Sequence, residues 1–504
     1  MPQEMHIPSN DPLRFQHILT PERVAELRRE IDEARELLEG RVIWNVNSTA
    51  KGGGVVELLR PLVGYARGAG VDVRWLVIDG TPAFFDLTKR IHNRLHGSLG
   101  DGGPLDEQAR RLYEDVLAAN LAEVADRVHP GDVVIVHDPQ PAGLVPALHA
   151  AGAGVIWRCH VGVDEPNDVV RTAWGFLHPY VSDADAYVFS RETFVWEGLD
   201  RGRVAIIPPT IDAFTPKNDE LRPDTVRGVL GVSGIIAGVE TREQITFRRQ
   251  GGTPGRIERR VRMIEDEPLR LEDPLVLQVS RWDALKDPIG VIRGFADHVP
   301  LDTGAHLVYA GPAVDAVADD PEGARMLRKA IEERGRLPQE TRRRIHLATL
   351  PMEDLDENAI MVNALQRHAR VITQKSLAEG FGLTVAEAMW KARPVVASRI
   401  GGIQDQIVDG ESGVLLDDPH DLASFGRAIA ELLDDPARAD RMGRAAQDRV
   451  RDRFLSVRSL LDYFSLIRRV LPLNAFDPHA SFLEQHIPPP AERRHAREPQ
   501  RTHP

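Results

Sequence analysis

Val371-Ile-Thr-Gln-Lys-Ser-Leu-Ala-Glu379-Gly-Phe-Gly-Leu-Thr-Val-Ala-Glu387-Ala-Met-Trp-Lys-Ala-Arg-Pro-Val-Val-Ala-Ser398 reads as strand, loop, helix and strand. The apolar run at Val371 has strand composition, and Leu383 to Lys391 is built of helix formers. The Glu-Gly-Phe-Gly turn between them therefore sits at the carboxyl end of a strand, where open α/β sheets bind ligands. Free amides at the helix start, around Gly382, Leu383 and Thr384, suit a phosphate. Glu387, one turn further in, suits a pair of ribose hydroxyls, and Glu379 stands in the loop itself. The stretch fits a nucleoside diphosphate carrying a neutral, hydroxyl-rich group.

Strand and helix signals alternate on both sides of it. Expected strands are 41–47, 71–78, 133–137, 155–159, 186–189 and 204–207, then 275–279, 306–309, 345–347, 371–373, 395–397 and 413–415. Such alternation predicts parallel, doubly wound sheets. At 504 residues the chain exceeds one ordinary core, so two domains are expected. Pro208-Pro209 marks a hinge between them.

The division read from the sequence has six parts. Residues 1–40 form a polar, helical extension, with a helix from Pro21 capped by Thr20. A first Rossmann-like domain spans 41–212. Residues 213–272 lack apolar periodicity and read as an exposed insertion or linker. A second Rossmann-like domain spans 273–455. A closing helix, 456–471, has the option of crossing back to the first domain. The tail 472–504, rich in Pro, His and Arg, reads as disordered.

Bulk composition narrows the function. A formal net charge of −13 argues against a nucleic-acid groove. One cysteine, Cys159, excludes an intrachain disulfide and reads as an inert buried thiol. No apolar leader or membrane span is visible, so a cytoplasmic protein without a membrane partner is expected. A homodimer is allowed by these features and not demanded.

Four further loops carry candidate chemistry. Asn47-Ser-Thr-Ala-Lys-Gly52-Gly53-Gly54-Val-Val-Glu57 lets backbone amides approach a ligand, and half-resembles a dinucleotide fingerprint. Glu57 stands where the third glycine of that fingerprint belongs. Asp79, ending the second strand, keeps a dinucleotide-dependent oxidoreductase open as an alternative. His137-Asp138-Pro-Gln140-Pro offers Asp138 and Gln140 to sugar hydroxyls, although such turns usually serve as caps. Arg158-Cys-His160-Val-Gly ends a third strand and brings a histidine to the same cleft. Ser280-Arg281-Trp-Asp-Ala-Leu-Lys286-Asp-Pro leaves the first strand of the second block with two cations suited to phosphate oxygens. The bland reading of that pair is surface ion pairing with Asp283 or Asp287. The glutamates also admit a glycosidase reading, which spacing alone does not exclude.

The Arg281, Lys286, Glu379 and Glu387 combination resembles the retaining glycosyltransferases of the GT-B fold. A narrower resemblance rests on four segments. They are Trp44-Asn-Val-Asn-Ser-Thr-Ala with Gly52-Gly-Gly-Val, Phe84-Phe85 with Thr88-Lys-Arg-Ile-His92-Asn93, His137-Asp-Pro-Gln-Pro, and Glu379 through Trp390. These look like trehalose synthases of the glycosyltransferring type and are similar to trehalose phosphorylases. The resemblance implies two Rossmann-like domains facing across a cleft, and transfer of glucose from ADP-, UDP- or GDP-glucose to free glucose, giving trehalose reversibly. It implies that Arg281, Lys286 and the amides of Leu383 and Thr384 hold the diphosphate. Glu387 would hold the ribose and Glu379 the donor sugar, with His160 near the reaction centre. Gly52, Gly53, Gly54 and Asp138 would line the acceptor side. No cofactor and no metal ligand are implied, because the nucleotide sugar is a substrate.

Overall fold

The computed structural model describes residues 2–50, 54–239, 245–314 and 321–471. Each half of the chain builds one seven-stranded sheet. The first holds β1 (Gln3–Met5), β2 (Ile43–Asn47), β3 (Val73–Val77), β4 (Val133–His137), β5 (Gly154–Cys159), β6 (Ala186–Phe189) and β7 (Val204–Ile206). A short antiparallel pair, β8 (Thr246–Arg248) and β9 (Pro254–Arg256), lies between the sheets in sequence. The second sheet holds β10 (Arg262–Ile264), β11 (Leu275–Val279), β12 (His306–Pro312), β13 (Ile345–Leu350), β14 (Val371–Gln374), β15 (Val395–Ser398) and β16 (Val414–Leu416). Central strands such as Val-Val-Ile-Val-His at β4 are buried along their whole length, as parallel strands covered on both faces must be.

The two sheets repeat one order: β1-β3-β2-β4-β5-β6-β7 and β10-β13-β12-β11-β14-β15-β16. All pairings are parallel except those of the edge strands β1 and β10. The winding direction reverses between β2 and β4 in the first sheet, and between β11 and β14 in the second. A ligand crevice forms at such a reversal, outside the carboxyl ends of the flanking strands. The loops singled out at Asn47, His137, Ser280 and Lys375 leave the strands that flank these two points.

Two expectations need correction. The N-terminal extension is more than helical, because β1 pairs with β3 and adds an edge to the first sheet. Residues 213–272 are not an exposed linker. Val226, Val229, Leu230, Ile235, Ile236, Ile257, Val261 and Leu269 are buried, and β10 completes the second sheet against β13. The Glu357 carboxylate accepts from the amides of Glu258 at 2.7 Å and Arg259 at 2.6 Å. Its elements run ten residues for a helix and three for each strand, too short for a repeating apolar pattern to appear.

The chain passes between the domains twice, and the crossings are bonded together. Ile211 N–H donates to Phe454 O at 2.8 Å, and Ser456 N–H donates to Ile211 O at 2.9 Å. The helix Ser456–Val470 then packs on the first domain, against helices Pro21–Leu37 and Gly54–Gly68. It buries Leu460, Tyr463, Phe464 and Ile467, each worth roughly 1.5–3 kcal/mol of apolar burial. The tail expected to be disordered, 472–504, lies outside the described residues. Among the described residues no helix is long and apolar enough to cross a membrane.

Candidate active site

The strand-end loops of the second domain are locked together by buried amides. Gln374 Nε2 donates to Ser280 Oγ at 3.1 Å and to Ser376 Oγ at 3.0 Å, while its Oε1 accepts from Thr384 Oγ1 at 3.0 Å. Gln278 Nε2 donates to Lys286 O at 2.9 Å, and Gln278 Oε1 accepts from Lys375 N at 3.1 Å. These bonds tie the end of β11 to the end of β14 and bring Lys286 against Glu379 as an ion pair. Asp287, expected as a competing partner of Lys286, pairs instead with Lys375 and caps the helix Pro288–His298. Arg281 follows the bland expectation, its Nη2 lying 3.2 Å from Asp283 Oδ2 with 71% of the side chain exposed. Arg281 is thus an exposed cation, whereas Lys286 is largely buried.

Gly382 opens the helix Leu383–Trp390 from a left-handed conformation, φ 81°, and no side chain caps the helix. The amides of Leu383 and Thr384 therefore have no intrahelical acceptor, and the dipole favours an anion there. Gly401, φ 47°, presses on the same loop. A Cβ added at Gly401 would meet Glu379 O at 1.9 Å, so a side chain would displace the Glu379 turn. Glu387 is buried four residues into the helix. Its Oε2 has no hydrogen-bond partner among the described residues. Burial pushes its carboxyl up, opposed first by Lys217 and then by Lys391.

On the first domain, a chain of hydrogen bonds fixes the histidines. Arg158 Nε donates to His160 Nδ1 at 3.4 Å, so that nitrogen accepts and the ring proton of neutral His160 lies on Nε2. His160 Nε2 then donates to His137 Nδ1 at 3.2 Å, and His137 Nε2 donates to Asn45 Oδ1 at 3.0 Å. Burial pushes His137 down to about 3 and holds His160 well below the usual histidine range, with Arg158 adding to both. Both ring nitrogens of His160 are thus engaged beneath the cleft. Asp138, at φ 66°, also turns inward, and its Oδ1 accepts from the His160 amide at 2.7 Å. Burial raises its carboxyl to about 7. Asp138 therefore braces the neighbouring strand-end loop, the cap-like reading of that turn. Cys159 is buried and its thiol pushed up, which makes it a poor nucleophile. Gly54 begins the helix Gly54–Gly68. Gly52 and Gly53 lie outside the described residues.

Contacts across the cleft involve residues that sequence reading missed. Lys217, on the crossover, lies 3.4 Å from Glu387 Oε1 and 3.3 Å from Glu57 Oε1. Glu57, the misfit to the dinucleotide pattern, is the first-domain end of this bridge. Arg191 follows β6 and reaches the second domain: its Nε lies 2.9 Å from Asp405 Oδ2, and its Nη1 donates to Gly401 O at 2.6 Å. Arg191 also pairs with Asp164, whose Oδ2 accepts from Gly401 N at 3.0 Å and Gln404 Nε2 at 3.2 Å. His96, capping the helix Pro82–Leu95 at its carboxyl end, has its pKa lowered first by burial and then by the charge of Lys286. The His92-Asn93 motif had pointed to this helix but not to His96.

Residues 45–196 match the family described as trehalose synthase, N-terminal domain, and residues 260–449 match glycosyl transferases group 1. The chain is 36% identical to a trehalose synthase of Rubrobacter xylanophilus over 88% of its length and 94% of that protein. It is 28% identical to a trehalose phosphorylase of Pleurotus sajor-caju, over 76% of this chain and 52% of that one. The fold matches an α,α-trehalose-phosphate synthase (UDP-forming) from Burkholderia xenovorans with a TM-score of 0.61 at 17% identity, covering 86% of this chain and 100% of that one. The chain is a GT-B glycosyltransferase and belongs to the trehalose synthase family.

Proposed function

We propose that this enzyme transfers glucose from a nucleotide-activated donor to free glucose with retention, forming trehalose reversibly. The observation that carries the reading is the cluster at the β11–β14 switch point: Arg281, Lys286 and Glu379 beside the open amides of Leu383 and Thr384, with the Glu387 carboxylate behind them. Lys286 and Arg281 would take the diphosphate oxygens, and Glu387 the ribose. Glu379 would exchange its hold on Lys286 for donor sugar hydroxyls. His160 would meet the donor sugar near the reaction centre, with its ring nitrogens already bonded to Arg158 and His137. Gly52, Gly53 and Gly54 would line the acceptor side, with Asp138 shaping that wall from beneath.

In the reaction the bond from the donor anomeric carbon to the diphosphate oxygen breaks as the acceptor hydroxyl oxygen bonds to that carbon on the same face. The acceptor proton passes to the departing oxygen. Oriented cations on that oxygen contribute about 3–4 kcal/mol per key donor. Closure of the domains excludes the water that would otherwise take the glucose.

A trehalose phosphorylase is the second reading, favoured by the Pleurotus relative. One panel tests both: glucose with ADP-, UDP- or GDP-glucose, against trehalose with phosphate. Trehalose formation in the first arm is expected, with its reversal by nucleoside diphosphate and trehalose. Turnover only in the second arm would overturn the proposal. A cytosolic location accords with these small polar substrates, and fractionation of cells tests it.

A further inference from the structure

Lys217 belongs to neither strand-end cluster, yet it touches both halves of the cleft. Its ammonium lies 3.4 Å from Glu387 Oε1, and 3.3 and 3.5 Å from the two carboxylate oxygens of Glu57. Glu387 is 4% exposed and Glu57 55% exposed. Glu57 lies in the first turn of the helix that begins at Gly54, on the acceptor side. The crossover carrying Lys217 is pinned on both flanks: Asn363 Nδ2 donates to Pro216 O at 2.9 Å, and Trp390 Nε1 donates to Asn218 O at 3.1 Å.

The other nearby ammonium has different work. Lys391 Nζ donates to the Glu387 backbone oxygen and to Asn218 Oδ1, both at 3.0 Å. Among the described residues, the cation paired with the Glu387 carboxylate is Lys217. That pairing occupies Oε1 and leaves Oε2 buried without a partner. An unpartnered buried carboxylate oxygen is unfavourable unless a ligand supplies the donor.

We propose that Lys217 is the positioning residue of the donor site, holding the Glu387 carboxylate with Oε2 open to the vicinal hydroxyls of a ribose and linking that contact to the acceptor-side helix through Glu57. This inference rests on the reading of Glu387 as the ribose-binding residue. The charge logic is direct. A carboxylate accepts from both hydroxyls of a diol, whereas a protonated carboxyl spends one oxygen as a donor. Burial favours the protonated form of Glu387; Lys217 and Lys391 oppose it, and Glu57 works with burial. Around Lys391 stand Arg367 and Glu220 as well. Removing Lys217 raises the Glu387 pKa further, so ligand affinity falls with decreasing pH from a higher starting point than in the wild type.

The test is calorimetric titration of the full chain with ADP, UDP and GDP, then with the 2′,3′-dideoxy form of the tightest one. Lys217→Met is expected to weaken the ribose form about 10- to 100-fold, as loss of a charged hydrogen bond does, with a larger loss at acidic pH. Lys217→Arg is expected to restore most of it. The dideoxy form should bind wild type and Lys217→Met equally. Glucose is expected to tighten nucleotide binding to the wild type through the Glu57–Lys217 contact, and Glu57→Gln should abolish that effect; an unchanged glucose effect in Glu57→Gln overturns the link to the acceptor-side helix. A Lys217→Met penalty that persists with the dideoxy form, or that lacks pH dependence and Lys217→Arg rescue, overturns the proposal. Glu387→Gln separates the two levels: if it binds the ribose form like wild type, the Glu387 reading itself fails. If Glu387→Gln weakens binding and Lys217→Met does not, only the Lys217 inference falls.

Discussion

Lys286 and Glu379 form an ion pair across the β11–β14 switch point, with side chains only 16% and 13% exposed. On the proposed reading, a dianionic diphosphate would compete for Lys286 and free Glu379 for the sugar, so one exchange would arm both groups. Lys286→Ala should lower turnover by about two to three orders of magnitude. It should also lower thermal stability, because Glu379 is left half-buried without its cation. Steady-state kinetics with parallel calorimetry checks both effects.

Arg281 should separate activity from stability. Its side chain is 71% exposed and its pairing with Asp283 spans only two residues, a contact worth at most about 1 kcal/mol. Arg281→Ala is expected to reduce turnover by about two or three orders of magnitude, weaken donor binding less, and leave the melting temperature nearly unchanged. Turnover like that of the wild type would remove Arg281 from the site.

The Arg191 clasp joins Asp164 of the first domain to Gly401 and Asp405 of the second. Hydrogen bonds to charged groups of this kind contribute about 1.5–3 kcal/mol, here to holding the two domains together. Arg191→Met should therefore raise donor hydrolysis relative to transfer, because water enters a cleft that closes less completely. Release of glucose from the nucleotide sugar without acceptor measures the ratio.

Gly401→Ala should act on the Glu379 turn without touching any charge. The added Cβ would meet Glu379 O at 1.9 Å and the backbone is already left-handed, so strain of about 1–3 kcal/mol is expected. The expected result is loss of turnover together with a lower melting temperature. Full activity would place the Glu379 turn outside the working site.

Stability should fall on mild acidification. In the folded protein His137 sits at about 3, His92 at about 4, and His160 well below the usual range. Unfolded histidines titrate near about 6.5, so below that pH the unfolded state binds more protons and stability falls. Asp138 works in the opposite sense, because its folded value of about 7 lies above its unfolded value, making the folded state the greater proton binder. Each net proton is worth about 1.4 kcal/mol per pH unit. Urea unfolding between about pH 5 and pH 6.5 should therefore show stability rising with pH, and His137→Asn should flatten that slope by about one proton.

The strands of both domains were legible because parallel strands buried on both faces carry apolar runs, as Val133–Val136 of β4 and Val371-Ile372 of β14 do. Residues 213–272 were not, since their short helix and strands gain stability from Glu357 and β13 rather than from a repeating pattern. The same contrast runs through the site. Arg281, Lys286 and Glu379 stand in two strand-end loops and Glu387 in the helix that follows the second, all visible as local spacing. Lys217 and Arg191 meet partners 160 and 214 residues away, and no local spacing announces such contacts.

Backbone propensity and apolar period act over a few residues, so the alternation of strands and helices, the strand-end loops and the kinds of side chain they carry were legible in the sequence. The tertiary structure alone decided which carboxylate each cation meets: Glu379 for Lys286, Asp287 for Lys375, Glu387 and Glu57 for Lys217. Coulomb energy depends on distance and burial, which are set only when β11 and β14 lie side by side and, for Lys217 and Glu57, when the two domains meet.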